Sequence, residues 1–208
     1  MRRHDMIHVD PAIWAAFIAP RPELVQAPVL ASWCAQGWPL VARRGTGTEP
    51  PGDVPLGLPL PPAMGKRRLF FALPSTALRP PMPPPLLSEA AVDAPPAWRG
   101  VIAQLVAAAP RVRVFGSLAW QHLTGLPYLA ATSDLDLLWQ LPASDPAGLL
   151  DDIAAIAANA PMRVDGEIVR EDGVAANWRE AVSAPEILVK SLHGVSLMPR
   201  RVFLAAMH

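Results

Sequence analysis

The chain has 208 residues and carries 18 Lys and Arg against 18 Asp and Glu, a formal net charge of zero. That length supports one sizeable core, or a small domain beside a medium one, and the charge balance supplies no basic field of the kind that binds a nucleic-acid duplex. The one cysteine, Cys34, excludes an intramolecular disulfide; there is no zinc-like Cys/His spacing, no signal-peptide-like start and no apolar run of membrane-spanning length, so we expect a cytoplasmic protein.

Along the chain, Pro11 to Phe17 reads as a helical turn, and Trp33 to Arg43 and Lys66 to Leu73 as short strand-like runs. From Glu49 to Pro62, and again from Arg79 to Pro96, Pro and Gly are too dense for a helix or a central strand, which predicts loops or extended connectors. The expected organisation is a small β-rich domain over 1–78, a Pro-rich linker over 79–96 and a larger domain over 97–208.

The larger domain has a more regular pattern. Trp98 to Ala109 has helical apolar spacing, Arg111 to Phe115 is a strand, and Ser117 opens a helix ending near Thr124-Gly125. Asp134 to Leu141 is the next strand, and Asp145-Pro146 caps a helix that runs to about Asn159. Met162 to Arg170 alternates as a strand, with Glu171-Asp172-Gly173 turning into Val174 to Asn177. Ile187 to Met198 reads as a hairpin about His193-Gly194, with a helix capped by Ser183 as the alternative. The predicted class is α+β with a mixed sheet.

Two short motifs carry the chemistry. Gly116-Ser117 follows an apolar strand, where Gly permits a tight turn and Ser offers a hydroxyl at a helix N-terminus whose free N–H groups suit phosphate oxygens. Asp134 and Asp136 lie two apart on a strand and so share a face, where a hard cation such as Mg²⁺ or Mn²⁺ relieves their repulsion. Asp165 and Glu167 share a face on the next strand, and either could be a third acid that takes a proton from an attacking hydroxyl. Lys190, in an apolar context, needs an acid, a phosphate or solvent. Arg44, Lys66 and Arg67 flank the first proline-rich stretch and are candidate phosphate contacts, against the alternative of a solvated face. Trp120 is expected in the core, His122 on the surface, and Cys34 buried as a small hydrophobe.

Gly116-Ser117 with Asp134-Leu135-Asp136 and Arg163-Val164-Asp165 resembles the active-site pattern of the DNA polymerase β-type nucleotidyltransferase superfamily. Longer segments narrow the resemblance. They are Pro55 to Leu58, Gly65 to Leu69, Val114 to Gln121, Leu123 to Tyr128, Ser133 to Trp139, Asp165 to Glu167 and Leu188 to Lys190. Together they are similar to the phosphoribosyl-dephospho-CoA transferases of malonate decarboxylase, also called holo-acyl-carrier-protein synthases. The Gly125-Leu126-Pro127-Tyr128 stretch lengthens the connection beyond the broad superfamily pattern and agrees with the narrower family.

The resemblance implies transfer of a phosphoribosyl-dephospho-CoA group from triphosphoribosyl-dephospho-CoA to a serine of the apo acyl-carrier subunit of malonate decarboxylase, releasing pyrophosphate. It assigns Asp134 and Asp136 to the metal and Gly116 and Ser117 to the phosphates, with Asp165 as proton acceptor. A nucleotidyltransferase using an ordinary nucleoside triphosphate, or a non-catalytic module on the same fold, are the alternatives. Neither nucleic acid nor membrane is an expected partner.

Overall fold

The computed structural model describes residues 1–205. They divide into two compact units that meet in the chain between Pro83 and Pro84.

The N-terminal unit contains three short helices, α1 (Pro11–Ile18), α2 (Pro22–Val25) and α3 (Pro28–Ala31), each opening on a proline whose missing N–H costs nothing at that position. Asp10 caps α1 by accepting the Ala12 and Ile13 N–H groups. Buried Trp14 donates its indole N–H to Leu30 O at 2.9 Å and stands edge-on to Phe71 at 5.3 Å, joining the helices to the sheet. Cys34 is buried, which pushes its thiol up to about 12 and makes it the inert small hydrophobe expected.

Strands β1 (Met6–Ile7), β2 (Leu40–Ala42), β3 (Asp53–Pro59) and β4 (Arg68–Pro74) form an antiparallel sheet in that order. Strand β3 corrects the expectation of a loop: it is interior to the sheet although it contains Pro55 and Pro59. Alternation explains the tolerance. Pro55 O accepts the Arg43 N–H, so Pro55 faces β2, whereas Val54, Leu56 and Leu58 direct their N–H groups toward β4. Strand β2 pairs with β3 only at Gly57 and Leu56, so the two prolines flank that short ladder and remove few bonds from it.

The stretch expected as a linker, 79–96, is ordered and shared between the units. Met82 bridges Met6 and Arg79 N–H reaches His8 O, which keeps 78–82 alongside β1. Pro84 and Pro85 lie on the edge of the other unit, where they contribute only carbonyls, to Arg113 and to Val114 N–H. Residues 87–98 then fold into helical turns that bury Leu87, Ala90, Ala94 and Trp98. Proline density here marks edge backbone rather than an untethered connector.

The C-terminal unit is built from α4 (Leu87–Ala90), α5 (Arg99–Ala108), β5 (Arg113–Phe115), α6 (Gly116–Thr124), β6 (Leu135–Gln140), α7 (Pro146–Ala158), β7 (Val164–Val169), β8 (Ala175–Asn177), α8 (Trp178–Ser183), β9 (Glu186–Lys190), β10 (Val195–Pro199) and α9 (Arg200–Leu204). Asp145 caps α7 through the Gly148 N–H, and β9 and β10 form the expected hairpin. The six strands are ordered β10-β9-β8-β7-β6-β5, with β6 and β7 parallel and every other pair antiparallel. The protein is α+β, with a small antiparallel sheet and a mixed one.

One face of the mixed sheet is the core. Leu135, Leu137, Trp139, Val164, Ile168, Ala176, Ile187 and Val189 pack with Ile102 and Leu105 of α5 and Leu150 and Ile153 of α7. Burying each Leu, Ile and Val among them contributes roughly 1.5–3 kcal/mol, which commits the alternate residues, Asp136, Asp165, Glu167, Asn177 and Lys190, to the other face. Among the described residues no helix is long and apolar enough to cross a membrane.

Candidate active site

Register brings the predicted motifs together. Phe115 pairs with Asp136 across β5 and β6, so the Gly116 turn begins beside Asp136, and Asp136 pairs with Asp165 across β6 and β7. Three sequence segments about 20 to 30 residues apart therefore meet on adjacent strands.

Gly116 is required there twice over. Its φ is +65°, and a Cβ at this position would lie 2.0 Å from Asp136 Oδ2. Only a residue without a side chain lets α6 start this close to the carboxylate. Ser117 follows, half-buried in the first turn of α6. On β7, Gly166 (φ +146°) is equally constrained, because its Cβ would sit 2.0 Å from Leu137 O. That glycine lets β6 and β7 close up beneath the two aspartates.

Asp165 is held through both carboxylate oxygens. Its Oδ1 accepts the Gly166 backbone N–H at 2.8 Å and the Asn177 amide at 3.0 Å, and its Oδ2 accepts from Arg163 Nη2 at 2.9 Å. Asp134, immediately before β6, has a side chain 39% exposed, and Arg163 Nε stands 4.0 Å from its Oδ2. The Arg163 guanidinium thus lies between Asp134 and Asp165 and offsets part of their mutual repulsion.

Lys190 has an acid partner: its Nζ lies 3.3 Å from Glu167 Oε1. Glu167 is 6% exposed, and a carboxylate so buried needs a counter-charge. Lys190 supplies that charge to Glu167, whereas Asp165 pairs with Asp136 in register. Arg44, Lys66 and Arg67 belong to the N-terminal unit, where all three are exposed. Lys66 is held at φ +51°, a conformation uncommon for a residue with a side chain.

Residues without an assigned role in the sequence also contribute. Arg163, in the Arg163-Val164-Asp165 motif, holds Asp165 from two positions away, whereas Asn177 reaches it across a strand pairing that no local periodicity marks. His122 pairs with Asp93 at 2.7 Å instead of standing free on the surface, and Gln121 Nε2 donates to Asp93 O. Gln121 Oε1 also accepts the Leu129 N–H, and Thr124 Oγ1 the Leu126 N–H, so the lengthened connection after α6 is tied back onto that helix. Within it, Tyr128 is buried near Trp120, with its phenol pushed up by burial, and Trp120 is in the core as expected.

Asp134 and Asp136 offer carboxylate oxygens, the donor type that hard cations take. Among the described residues no group of three or more His, Cys, Asp or Glu side chains that could hold a metal ion is present. Mg²⁺ is ordinarily held by one or two carboxylates with waters and substrate phosphates completing the octahedron.

Residues 85–201 match the family described as the phosphoribosyl-dephospho-CoA transferase MdcG C-terminal domain, and residues 2–84 match the corresponding MdcG N-terminal domain. The chain belongs to this transferase family. A phosphoribosyl-dephospho-CoA transferase of Bradyrhizobium diazoefficiens is 42% identical over 209 residues, spanning 98% of this chain and 92% of that protein. One from Xanthomonas campestris pv. campestris is 41% identical over 199 residues, with 90% of this chain and 92% of the relative covered. A third, from Xanthomonas euvesicatoria pv. vesicatoria, is 38% identical over 205 residues, covering 95% and 94%. No solved structure matches the chain. The boundary between the two family domains falls between Pro84 and Pro85, one residue from the division of the structure.

Proposed function

We propose that this protein transfers a phosphoribosyl-dephospho-CoA group from triphosphoribosyl-dephospho-CoA to a serine of the apo acyl-carrier subunit of malonate decarboxylase, by chemistry of the nucleotidyltransferase kind. The observation that carries the reading is the register Phe115–Asp136–Asp165, which gathers the Gly-Ser turn and the acids at one place in a chain of this transferase family.

In this reading the Ser117 hydroxyl and the first N–H groups of α6 bind phosphate oxygens of the leaving group. Asp134 and Asp136 would hold Mg²⁺ or Mn²⁺, which supplies charge neutralisation at the phosphates when bound. Arg163, whose side chain is 59% exposed, releases Asp165 Oδ2 when substrate phosphates compete for its guanidinium. Asp165 then accepts the proton of the carrier serine as its oxygen bonds to the α-phosphorus and the bond to the β-phosphate breaks, releasing pyrophosphate. The exposed Arg44, Lys66 and Arg67 of the N-terminal unit contact substrate phosphates or the carrier, and the Lys66 backbone is constrained at positive φ.

Incubation with apo carrier and triphosphoribosyl-dephospho-CoA, followed by mass spectrometry, tests the reading. The carrier should gain one phosphoribosyl-dephospho-CoA mass on a serine, EDTA should abolish the gain, and Mg²⁺ or Mn²⁺ should restore it. Nucleotide transfer from ATP with no transfer from this precursor would replace the reading with another nucleotidyltransferase.

A further inference from the structure

Helix α8 is only six residues long, yet three consecutive side chains at its start reach β7. The Trp178 indole and the Arg179 guanidinium both donate to Val164 O, at 3.3 and 3.0 Å, and the Asn177 amide donates to Asp165 Oδ1 at 3.0 Å. Asn177 cannot turn its amide over. Its Oδ1 accepts the Arg179 backbone N–H at 2.9 Å as the cap of α8, and that position demands an acceptor, so Nδ2 is left for Asp165.

The two oxygens of Asp165 are therefore held differently. Oδ1 is fixed by the Gly166 backbone and by an amide that the helix cap has itself oriented, while Oδ2 is held by the 59%-exposed Arg163. One oxygen is tied to the framework, and the other to a side chain free to leave.

We infer that Asn177 is a positioning residue for Asp165, locking Oδ1 to the fold so that Oδ2 is the oxygen offered to the attacking hydroxyl. This rests on the proposed role of Asp165 as proton acceptor. Any cap would stabilise α8, but only asparagine caps the helix through an oxygen and donates to a carboxylate through the nitrogen of the same group.

Two substitutions separate the roles, because both keep a capping oxygen. Asn177→Ser replaces the amide donor to Asp165 with a shorter hydroxyl, and Asn177→Asp sets an acceptor against an acceptor. A hydrogen bond to a charged group governs roughly ten- to a hundredfold in an equilibrium. Single-turnover transfer should fall about tenfold for Asn177→Ser and about a hundredfold for Asn177→Asp, with precursor affinity within about threefold of native and circular dichroism showing a folded protein. In an Asp165→Asn background, Asn177→Ser should cost less than about twofold more, since both changes act through one carboxylate. Native rates in both single variants would reduce Asn177 to a helix cap, and full additivity in the double variant would place its effect elsewhere.

A readout without substrate keeps the inference distinct from the proposed function. The Asn177 side-chain amide resonances in a nitrogen-15 spectrum should shift in Asp165→Ala, and unmoved resonances would overturn the contact. Failure of the native protein to modify the carrier would instead overturn the substrate reading, leaving the amide shift to decide the contact.

Discussion

In the C-terminal unit Asp136, Asp165, Glu167 and Lys190 each occupy a sheet position whose register and packing dictate where the side chain points; in the N-terminal unit Arg44, Lys66 and Arg67 stand exposed. The acids are crowded to the point that two glycines are needed to let the backbones approach, whereas no close neighbour stands within 3.4 Å of a Cβ at Gly65, next to Lys66. Chemistry that tolerates little displacement belongs on the first kind of support, and binding of flexible phosphates on the second. The comparison predicts that substitutions in the C-terminal unit change turnover, while those in the N-terminal unit change affinity and its salt dependence.

The largest effect should come from the acid pair. Asp134→Ala or Asp136→Ala should lower transfer about a thousandfold or more, because in the proposed reading each removes half of the pair that would hold the metal. Transfer within tenfold of native, with circular dichroism showing a folded protein, would move the chemistry away from β6.

Gly116→Ala should come next. The added Cβ meets Asp136 Oδ2 at 2.0 Å, so the carboxylate must move or the α6 turn must open, at a backbone φ that already disfavours alanine. A displacement of about 1 Å at a reacting group costs on the order of a hundredfold. We expect that loss in single-turnover rate, together with a lower Tm. A variant that loses Tm but keeps its rate would show that the Gly116 turn matters only for folding.

The C-terminal elements were legible because local rules and tertiary packing agree there. Asp145-Pro146 is a cap with a proline at the first helical position, and Glu171-Asp172-Gly173 is a turn, so both boundaries follow from short-range chemistry. Strand β3 was not legible because Pro55, Gly57 and Pro59 mask its Val54, Leu56 and Leu58, and which edge each proline faces depends on a partner strand outside any local window. The same distinction runs through the site. Asp134, Asp136 and Asp165 are visible from two-residue spacing, but Asn177 is bound to Asp165 across 12 positions and Lys190 to Glu167 across 23. The second pairing gives Lys190 the acid that the sequence left as one of three options.

In the N-terminal unit, Lys66→Gly combined with Arg67→Gln should weaken binding of precursor or carrier about five- to tenfold at low salt, with little change in the single-turnover rate at saturation. The difference should shrink as salt rises and the Debye length falls below 10 Å. Glycine at Lys66 removes the strain of φ +51°, worth roughly 1–2 kcal/mol, so lost affinity cannot be blamed on unfolding. Calorimetric titrations at two salt concentrations decide it; unchanged affinities for both ligands would return these residues to a merely solvated face.

The smallest effect concerns the loop beside Arg44. Glu49 accepts the Thr46 and Gly47 backbone N–H groups and the Thr46 hydroxyl, and pairs with Arg43 at 2.9 Å. The Thr46 backbone bond is the leading cause of its lowered pKa, which falls from 4.5 to about 2. A folded-state pKa depressed in this way contributes stability that is fully present above 4.5 and is lost as pH falls through about 2. The Thr46 and Gly47 amide shifts should therefore titrate with a midpoint near 2, and Glu49→Gln should abolish that titration while leaving the amides of β6 and β7 unmoved. The stability difference between native and Glu49→Gln should be small, because the pair is close to solvent, and should vanish in strong acid. A midpoint near the ordinary 4.5 would mean that the carboxylate does not gather these donors, and that the loop carrying Arg44 is not fixed by Glu49.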